Sequence, residues 1–344
     1  MFESYYGNAT AVRALEQMVR SGRIHQTLLL AGPEGVGKAT LARRLAAALL
    51  GGASKIEADD LSRPENQEII AERDKWPAER RVEEPLFFGT HPDFLTFPPE
   101  GPLRQISIAQ MRLLKDRAQY APLRGRWRVF LVDQIDRANE QAANSLLKTL
   151  EEPPPYLILI MTAANPYDLL PTIRSRSMLI HLSPLATAEV VEFVRQKGLN
   201  EPERRAALSN GSPGVAVSLD LAEWDRRRAA MLALLRAASG AAPFSEWAAY
   251  SEKIGAARSE KLDAYIQVLY SLLEDCLQVH TCGANASIRN FDLREEFCKL
   301  ASRVSFHWLL RATESVDEIA RLLRRNIQKG IALDALVLNL QASA

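Results

Sequence analysis

The stretch "AGPEGVGKAT", residues 31–40, constrains the fold more than any other ten residues of the chain. Gly32, Gly37 and Lys38 satisfy G-x-x-x-x-G-K, after the apolar run "TLLLA" from Thr27 and before a helical pattern over 38–50. A strand, a glycine-rich turn and a helix in that order are the setting in which this spacing cradles phosphate. Gly32, Gly35 and Gly37 let backbone N–H groups turn inward, the helix N-terminus adds partial positive charge, and Lys38 adds an ammonium. A glycine-rich turn without a ligand is the competing reading. Ala39 stands where such loops carry the hydroxyl that binds Mg²⁺, and Thr40 lies about 100° further round the helix. Metal retention is therefore expected to be weakened.

A strand and helix joined in this way need neighbours to bury them. Four further runs read as strands: "DFLTF" from Asp93, "RVFLV" from Arg128, "LILIMT" from Leu157 and "MLIHL" from Met178. The runs at Thr27, Arg128 and Leu157 are expected at the centre of the sheet. Helical patterns over 8–21, 38–50, 107–118 and 139–151 alternate with them, the last stopped by prolines 153–155. The alternation predicts an α/β fold, a five-stranded parallel sheet with helices on both faces.

At 344 residues, two or three domains are expected. Residues 54–85 are crowded with charge and read as a solvated insertion, in which Ile69, Ile70 and Trp76 could dock a short helix. From about 186 onward the strand pattern stops. In "KLDAYIQVLYSLLEDCLQ", from Lys261, the apolar positions Leu262, Ile266, Leu269, Leu272, Leu273 and Cys276 recur every three or four residues and give one wide apolar face. A separate α-helical domain entered near Asp220 is predicted.

Lys and Arg number 43 against 42 Asp and Glu, so a net charge of +1 supplies no overall field toward nucleic acid or anionic lipid. Locally, residues 112–128 carry Arg112, Lys115, Arg117, Arg124, Arg126 and Arg128 with Tyr120 and Trp127. Such a mixture can track a phosphate backbone, or be an ordinary solvated helix and loop. The opening "MFESYYGNAT" lacks the basic and apolar regions of a leader, and no run approaches the roughly 18 apolar residues of a membrane span. A cytoplasmic chain without a membrane partner is expected. Cys276, Cys282 and Cys298 have spacings unlike zinc sites and are expected to be buried free thiols.

The second constellation is "RVFLVDQID". Asp133, at the end of its strand, is placed to hold a metal ion, usually through water. Hydrolytic versions follow the aspartate with a glutamate that deprotonates water, whereas Gln134 cannot accept a proton. Losing a general base costs about 10² to 10⁴ in rate. Asp136 reads as a cap for the next helix. Glu151 and Glu152 end their helix where the macrodipole disfavours negative charge by a few tenths of a kcal/mol, about the strength of one weak contact. They are either simply solvated or directed at a basic patch on a neighbour.

Together "GPEGVGK", "VDQIDRANEQAANSLLKTLEEPP" and "NPYDLLPTIRSRS" resemble the clamp-loader branch of the AAA+ ATPases and, within it, the delta-prime family of bacterial DNA polymerase III subunits. "YYGNATAVRALEQMVRSGRIHQTLLLAGP" and "RNIQKGIALDALVLNL" extend the likeness to both ends of the chain. The resemblance implies an AAA+ domain over 1–185, a small helical lid over 186–219 and an α-helical collar over 220–344 that joins a hetero-oligomer. It implies that Arg176, in "SRS", is an arginine finger directed at the ATP site of the adjacent subunit, with Ser177 in place of the family's cysteine. The phosphate sensor falls on Ala164, with Thr162 and Asn165 near enough to leave the register open, and the lid arginine falls on Gly214. The cysteine quartet of many relatives is absent, so no zinc is expected.

The resulting expectation is a clamp-loader subunit that holds ATP or ADP with Mg²⁺ weakly or not at all and does not hydrolyse it alone. Its partners would be tau/gamma- and delta-type subunits, a sliding clamp and primed DNA, within a nucleotidyltransferase holoenzyme. An active tau/gamma-like motor using Lys38 and Asp133 is the alternative.

Overall fold

Helix α1 (Ala9–Ser21) leads into β1 (Thr27–Ala31), and the loop after it opens α2 (Lys38–Leu50). Three short helices follow: α3 (Ala53–Ala58), α4 (Pro64–Arg73) and α5 (Ala78–Glu83). The chain then alternates through β2 (Phe94–Phe97), α6 (Ile108–Ala118), β3 (Arg128–Val132), α7 (Glu140–Glu151), β4 (Leu157–Ala163), α8 (Pro171–Arg174) and β5 (Met178–His181). The computed structural model describes residues 2, 5–256, 262–322 and 328–342. Lys261 of the helical pattern and residues 325–327 of the closing motif lie outside the described residues.

All five strands are parallel, in the order β2-β3-β4-β1-β5, so the three runs expected at the centre are there. Side chains alternate between the two faces. Leu28, Leu30, Val129, Leu131 and Ile160 pack with Leu15 of α1 and with Leu41 and Leu45 of α2. Leu29, Phe130, Val132, Leu159 and Met161 pack with Met111 and Leu114 of α6 and with Leu146 and Leu150 of α7. Each such buried side chain contributes about 1.5–3 kcal/mol, which makes the sheet a firm base for the loops at its edge.

Helices α1, α6 and α7 each begin one residue after the predicted start, because the first predicted residue is the cap. Ser107 Oγ accepts from Gln110 N at 3.2 Å while Gln110 Oε1 accepts from Ser107 N at 2.9 Å. Asn139 Oδ1 accepts from Ala142 N at 2.8 Å, and Asn8 precedes α1 in a left-handed conformation.

The charged insertion is more ordered than a solvated loop. Ile56 and Ile70 are buried, Ile70 against Leu86 and Phe88, whereas Ile69 is exposed and Trp76 half-buried. Asp59 is also buried, accepting from Thr90 N at 3.1 Å and Thr90 Oγ1 at 2.6 Å. Pro64 at the start of α4 removes an N–H that the helix would leave unpaired.

After β5 come α9 (Thr187–Gln196), α10 (Pro202–Leu208), α11 (Pro213–Ser218), α12 (Leu221–Ala238), α13 (Phe244–Ala256), α14 (Leu262–Cys282), α15 (Arg294–Ala301), α16 (Phe306–Leu322) and α17 (Lys329–Gln341). Two compact units result, one of residues 1–200 and 210–217, the other of residues 201–209 and 218–344. The stretch expected as a lid, 186–219, is divided between them.

In the helical unit Asp220 caps α12, accepting from Ala222 N and Glu223 N at 2.9 and 3.0 Å. All six apolar positions read from the α14 pattern are buried, in a core with Trp247, Phe297, Trp308 and Leu333. Trp247 Nε1 donates to Asp334 Oδ1 at 2.7 Å, so this fully buried ring keeps its polar atom satisfied. The three cysteines are free, but only Cys276 is buried; Cys298 is half-buried and Cys282 exposed. Cys282 is the last residue of α14, so the expectation of buried thiols fails there. No described helix is long and apolar enough to cross a membrane.

Candidate functional site

A cleft of about 480 Å³ opens at the C-terminal edge of the sheet, large enough for a nucleotide-sized ligand. Gly35, Gly37, Lys38, Ala39 and Thr40 line one side, Asp133, Gln134 and Ala164 another. The loop is closely covered by its own unit. Gly35 has φ 74°, and a Cβ there would lie 2.8 Å from Val215 N; a Cβ on Gly37 would lie 2.9 Å from the Tyr5 hydroxyl. That hydroxyl is buried without a hydrogen-bond partner among the described residues, and burial raises its pKa.

Lys38 turns back on the loop, with Nζ donating to Gly32 O at 2.6 Å and to Pro33 O at 2.7 Å. Burial lowers its pKa, while the carboxylates of Asp133, Asp136 and Glu34 pull the other way. Asp133 is buried, and burial raises its pKa against the hydrogen bond from Thr162 and the charge of Lys38. Thr162 Oγ1 donates to Asp133 Oδ1 at 2.6 Å and accepts from Gln134 N at 2.8 Å. Gln134 itself is left-handed at φ 56°, a conformation costing about 1 kcal/mol or more for a non-glycine residue. The strain lies at the residue after the strand's aspartate, held by its neighbours.

Of the three sensor candidates, Ala164 faces the cleft, Thr162 is buried beneath it, and Asn165 caps a short turn by accepting from Tyr167 N at 3.0 Å. The cleft therefore meets a methyl where a phosphate contact was sought. Asp136 is not the cap of α7: its Oδ2 accepts from Ala164 N at 3.1 Å, tying the ends of β3 and β4 together. Gly214 N donates to Gly35 O at 2.8 Å, and a Cβ at Gly214 would lie 2.9 Å from that same oxygen. An arginine cannot stand there without moving the loop.

Thr40 also lines the cleft. Its Oγ1 lies 3.5 Å from Arg43 Nη2, and the buried Arg43 pairs with Glu57 at 3.1 Å and Asp60 at 2.6 Å. The insertion thus supplies part of the cleft wall through Asp60, Leu61, Ser62, Gln67 and Ile70, a role its composition concealed. The adjacent charges Arg43 and Arg44, in the otherwise apolar "LARRLAAALL", were the available signal. The residues fit a nucleotide's size and the loop fits phosphate, but the Mg²⁺ donors do not fit: a methyl replaces the hydroxyl, and one oxygen of Asp133 is taken. Among the described residues no group of three or more His, Cys, Asp or Glu is placed to hold a metal ion.

Arg176 lies outside this cleft, in the turn between α8 and β5. Its Nη2 is 2.8 Å from Glu151 Oε1, and its Nη1 donates to Thr172 O at 3.1 Å. Ser177 Oγ donates to Ile173 O at 2.8 Å, a local contact. In the basic stretch, Arg112, Lys115, Arg117, Tyr120, Arg124 and Arg126 are exposed and Trp127 half-buried. Arg128 must be removed from that surface, since as the first residue of β3 it is buried and donates to Tyr120 O at 3.1 Å.

A glycine-rich loop between the first strand and its helix, an aspartate ending the third, and helices on both faces of a 2-3-4-1-5 parallel sheet define a P-loop module of AAA+ type. It is joined in one chain to an all-helical unit. The family model described as "DNA polymerase III, delta subunit" matches residues 7–186, and "DNA polymerase III, delta subunit, C terminal" matches residues 222–342. The chain belongs to the DNA polymerase III delta subunit family. It is 32% identical over 221 residues to DNA polymerase III subunit delta' of Escherichia coli, covering 63% of this chain and 64% of that one. Against the Pseudomonas aeruginosa delta' it is 35% identical over 196 residues, 56% and 54% of the two chains. Against DNA polymerase III subunit tau of Salmonella typhimurium it is 31% identical over 218 residues, 62% of this chain and 31% of that one. Each alignment spans less than two thirds of the relative's length.

Proposed function

We propose that the chain is a delta-prime-type subunit of a DNA polymerase III clamp loader that does not hydrolyse ATP itself and completes a neighbour's ATP site with Arg176. Gln134 carries the reading: a neutral amide stands at the position where a water-activating carboxylate is required. The methyls of Ala39 and Ala164 and the closely packed Gly214 support it, since each stands where a phosphate or metal contact is expected. In this reading the loop is kept for its shape, bound ATP or ADP is weak or absent, and no zinc is held. The helical unit joins the chain to tau/gamma- and delta-type subunits around a sliding clamp and primed DNA.

The reading is tested by titrating the chain with a fluorescent ATP analogue, with and without Mg²⁺, while measuring phosphate release beside a Lys38→Ala control. Weak binding and no release are expected. Release that depends on Lys38 would overturn the reading in favour of a tau/gamma-like motor, an alternative favoured by the retained cleft and the likeness to tau.

A further inference from the structure

An arginine that serves a neighbouring subunit must rest somewhere when no neighbour is engaged. The Arg176 side chain is 34% exposed and that of Glu151 49% exposed, with Nη2 and Oε1 2.8 Å apart. The other terminal nitrogen donates to Thr172 O at 3.1 Å and lies 3.4 Å from Ser175 Oγ. Both ends of the guanidinium fork are thus engaged within the chain, one of them by a carboxylate.

Glu151 is poorly placed by local rules. It is the last residue of α7, at the negative end of the helix dipole. The cationic partner offsets that placement. Guanidinium binds carboxylate and phosphate oxygens through the same planar set of donors, so Glu151 presents Arg176 with the chemistry that a phosphate would offer. An ion pair this exposed favours the closed arrangement by no more than about fivefold. A multiply charged phosphate can therefore displace it readily.

We propose that Glu151 is a positioning residue: it holds Arg176 at rest as a stand-in anion, and the pair is exchanged for the terminal phosphate of a nucleotide on the adjacent subunit. The proposal rests on the finger reading above. It makes an unusual demand, that neutralising Glu151 should improve engagement. In the assembled complex Glu151→Gln should lower the KM for ATP by up to about fivefold with kcat unchanged. A purely structural role would instead lower kcat or impair assembly.

The resting pair is tested separately in the isolated chain, by phenylglyoxal labelling read at Arg176 by peptide mass spectrometry against the exposed Arg112. The Arg176 to Arg112 ratio should rise about two- to fivefold in Glu151→Gln. In the unaltered chain it should also rise with salt, as screening loosens the pair, and in the variant it should not. An unchanged ratio overturns the resting pair. A raised ratio with KM unchanged or increased overturns the exchange. A raised ratio in a chain whose Arg176→Ala variant leaves complex turnover intact removes the finger reading, and the exchange with it.

Discussion

Asp133 in the P-loop unit and Glu296 in the helical unit are both carboxylates, but burial pushes the pKa of the first up while the hydrogen bond from Arg236 pulls that of the second down. The contrast extends beyond these two. Asp59 and Glu100 of the P-loop unit are also raised by burial, and Asp59 and Asp133 take hydroxyl donors from Thr90 and Thr162. The helical unit pairs its charges across elements: Arg236 with Glu296 at 2.6 Å, Arg228 with Asp292 at 2.8 Å and Arg289 with Glu274 at 2.6 Å, around an apolar core. At Asp133, which lines the cleft, charge is poorly compensated and costs stability; the paired charges secure a shape, as Arg43 with Glu57 and Asp60 also does in the P-loop unit. Chemistry is thus expected to reside in the P-loop unit and assembly in the helices.

The sharpest way to break that division is Arg176→Ala. Loss of an arginine finger costs about 10³ or more at the site it completes, so ATP turnover measured in the reconstituted complex should fall while sedimentation shows assembly intact. A variant that fell out of the complex would place Arg176 on the structural side instead. The converse test is Leu272→Ala, at a fully buried position of α14. It should cost about 3 kcal/mol. Hydrogen exchange should quicken in the helical unit and leave β1, β3 and β4 protected, with assembly weakened. Equal loosening of both units would show that they do not hold their stability separately.

How far the sequence discloses this division depends on the range of the interactions. The strand runs and the α14 face could be read because alternation and a 3.6-residue period are local consequences of burial. Helix starts were displaced by one because a cap belongs to the helix in hydrogen bonding but not in conformation. The wall built by the insertion was hidden, since Arg43 meets Glu57 and Asp60 only after α2 and α3 pack. Thr162 stood among the sensor candidates, yet its buried hydroxyl donates to Asp133 and accepts from Gln134 N. Arg128 was counted both as the first residue of a central strand and as a cation of the basic surface, and its burial is compatible only with the first. The loop motif announced a phosphate site, but the contact of Gly214 with Gly35 had no signal beyond a glycine where the family resemblance put an arginine.

The smallest effect tests the charge contrast itself. A carboxylate with a lowered pKa adds stability above its unfolded value, near 4.3 for Glu, and loses it as pH falls through the folded value. Glu296→Gln should therefore lower Tm at pH 7, by about 2 °C for a partly exposed pair, and the difference should close as pH falls through the lowered folded value. Asp59 carries the opposite sign. Its raised pKa makes the charged form a penalty that is absent below the unfolded value near 3.9 and fully present above the folded one. Asp59→Asn keeps an oxygen for the Thr90 donors and should raise Tm at pH 7, with no advantage left at low pH. If both variants move Tm in the same direction at pH 7, Asp59 and Glu296 do not differ in how their charge is held, and the contrast between chemistry and assembly has no basis in these two carboxylates.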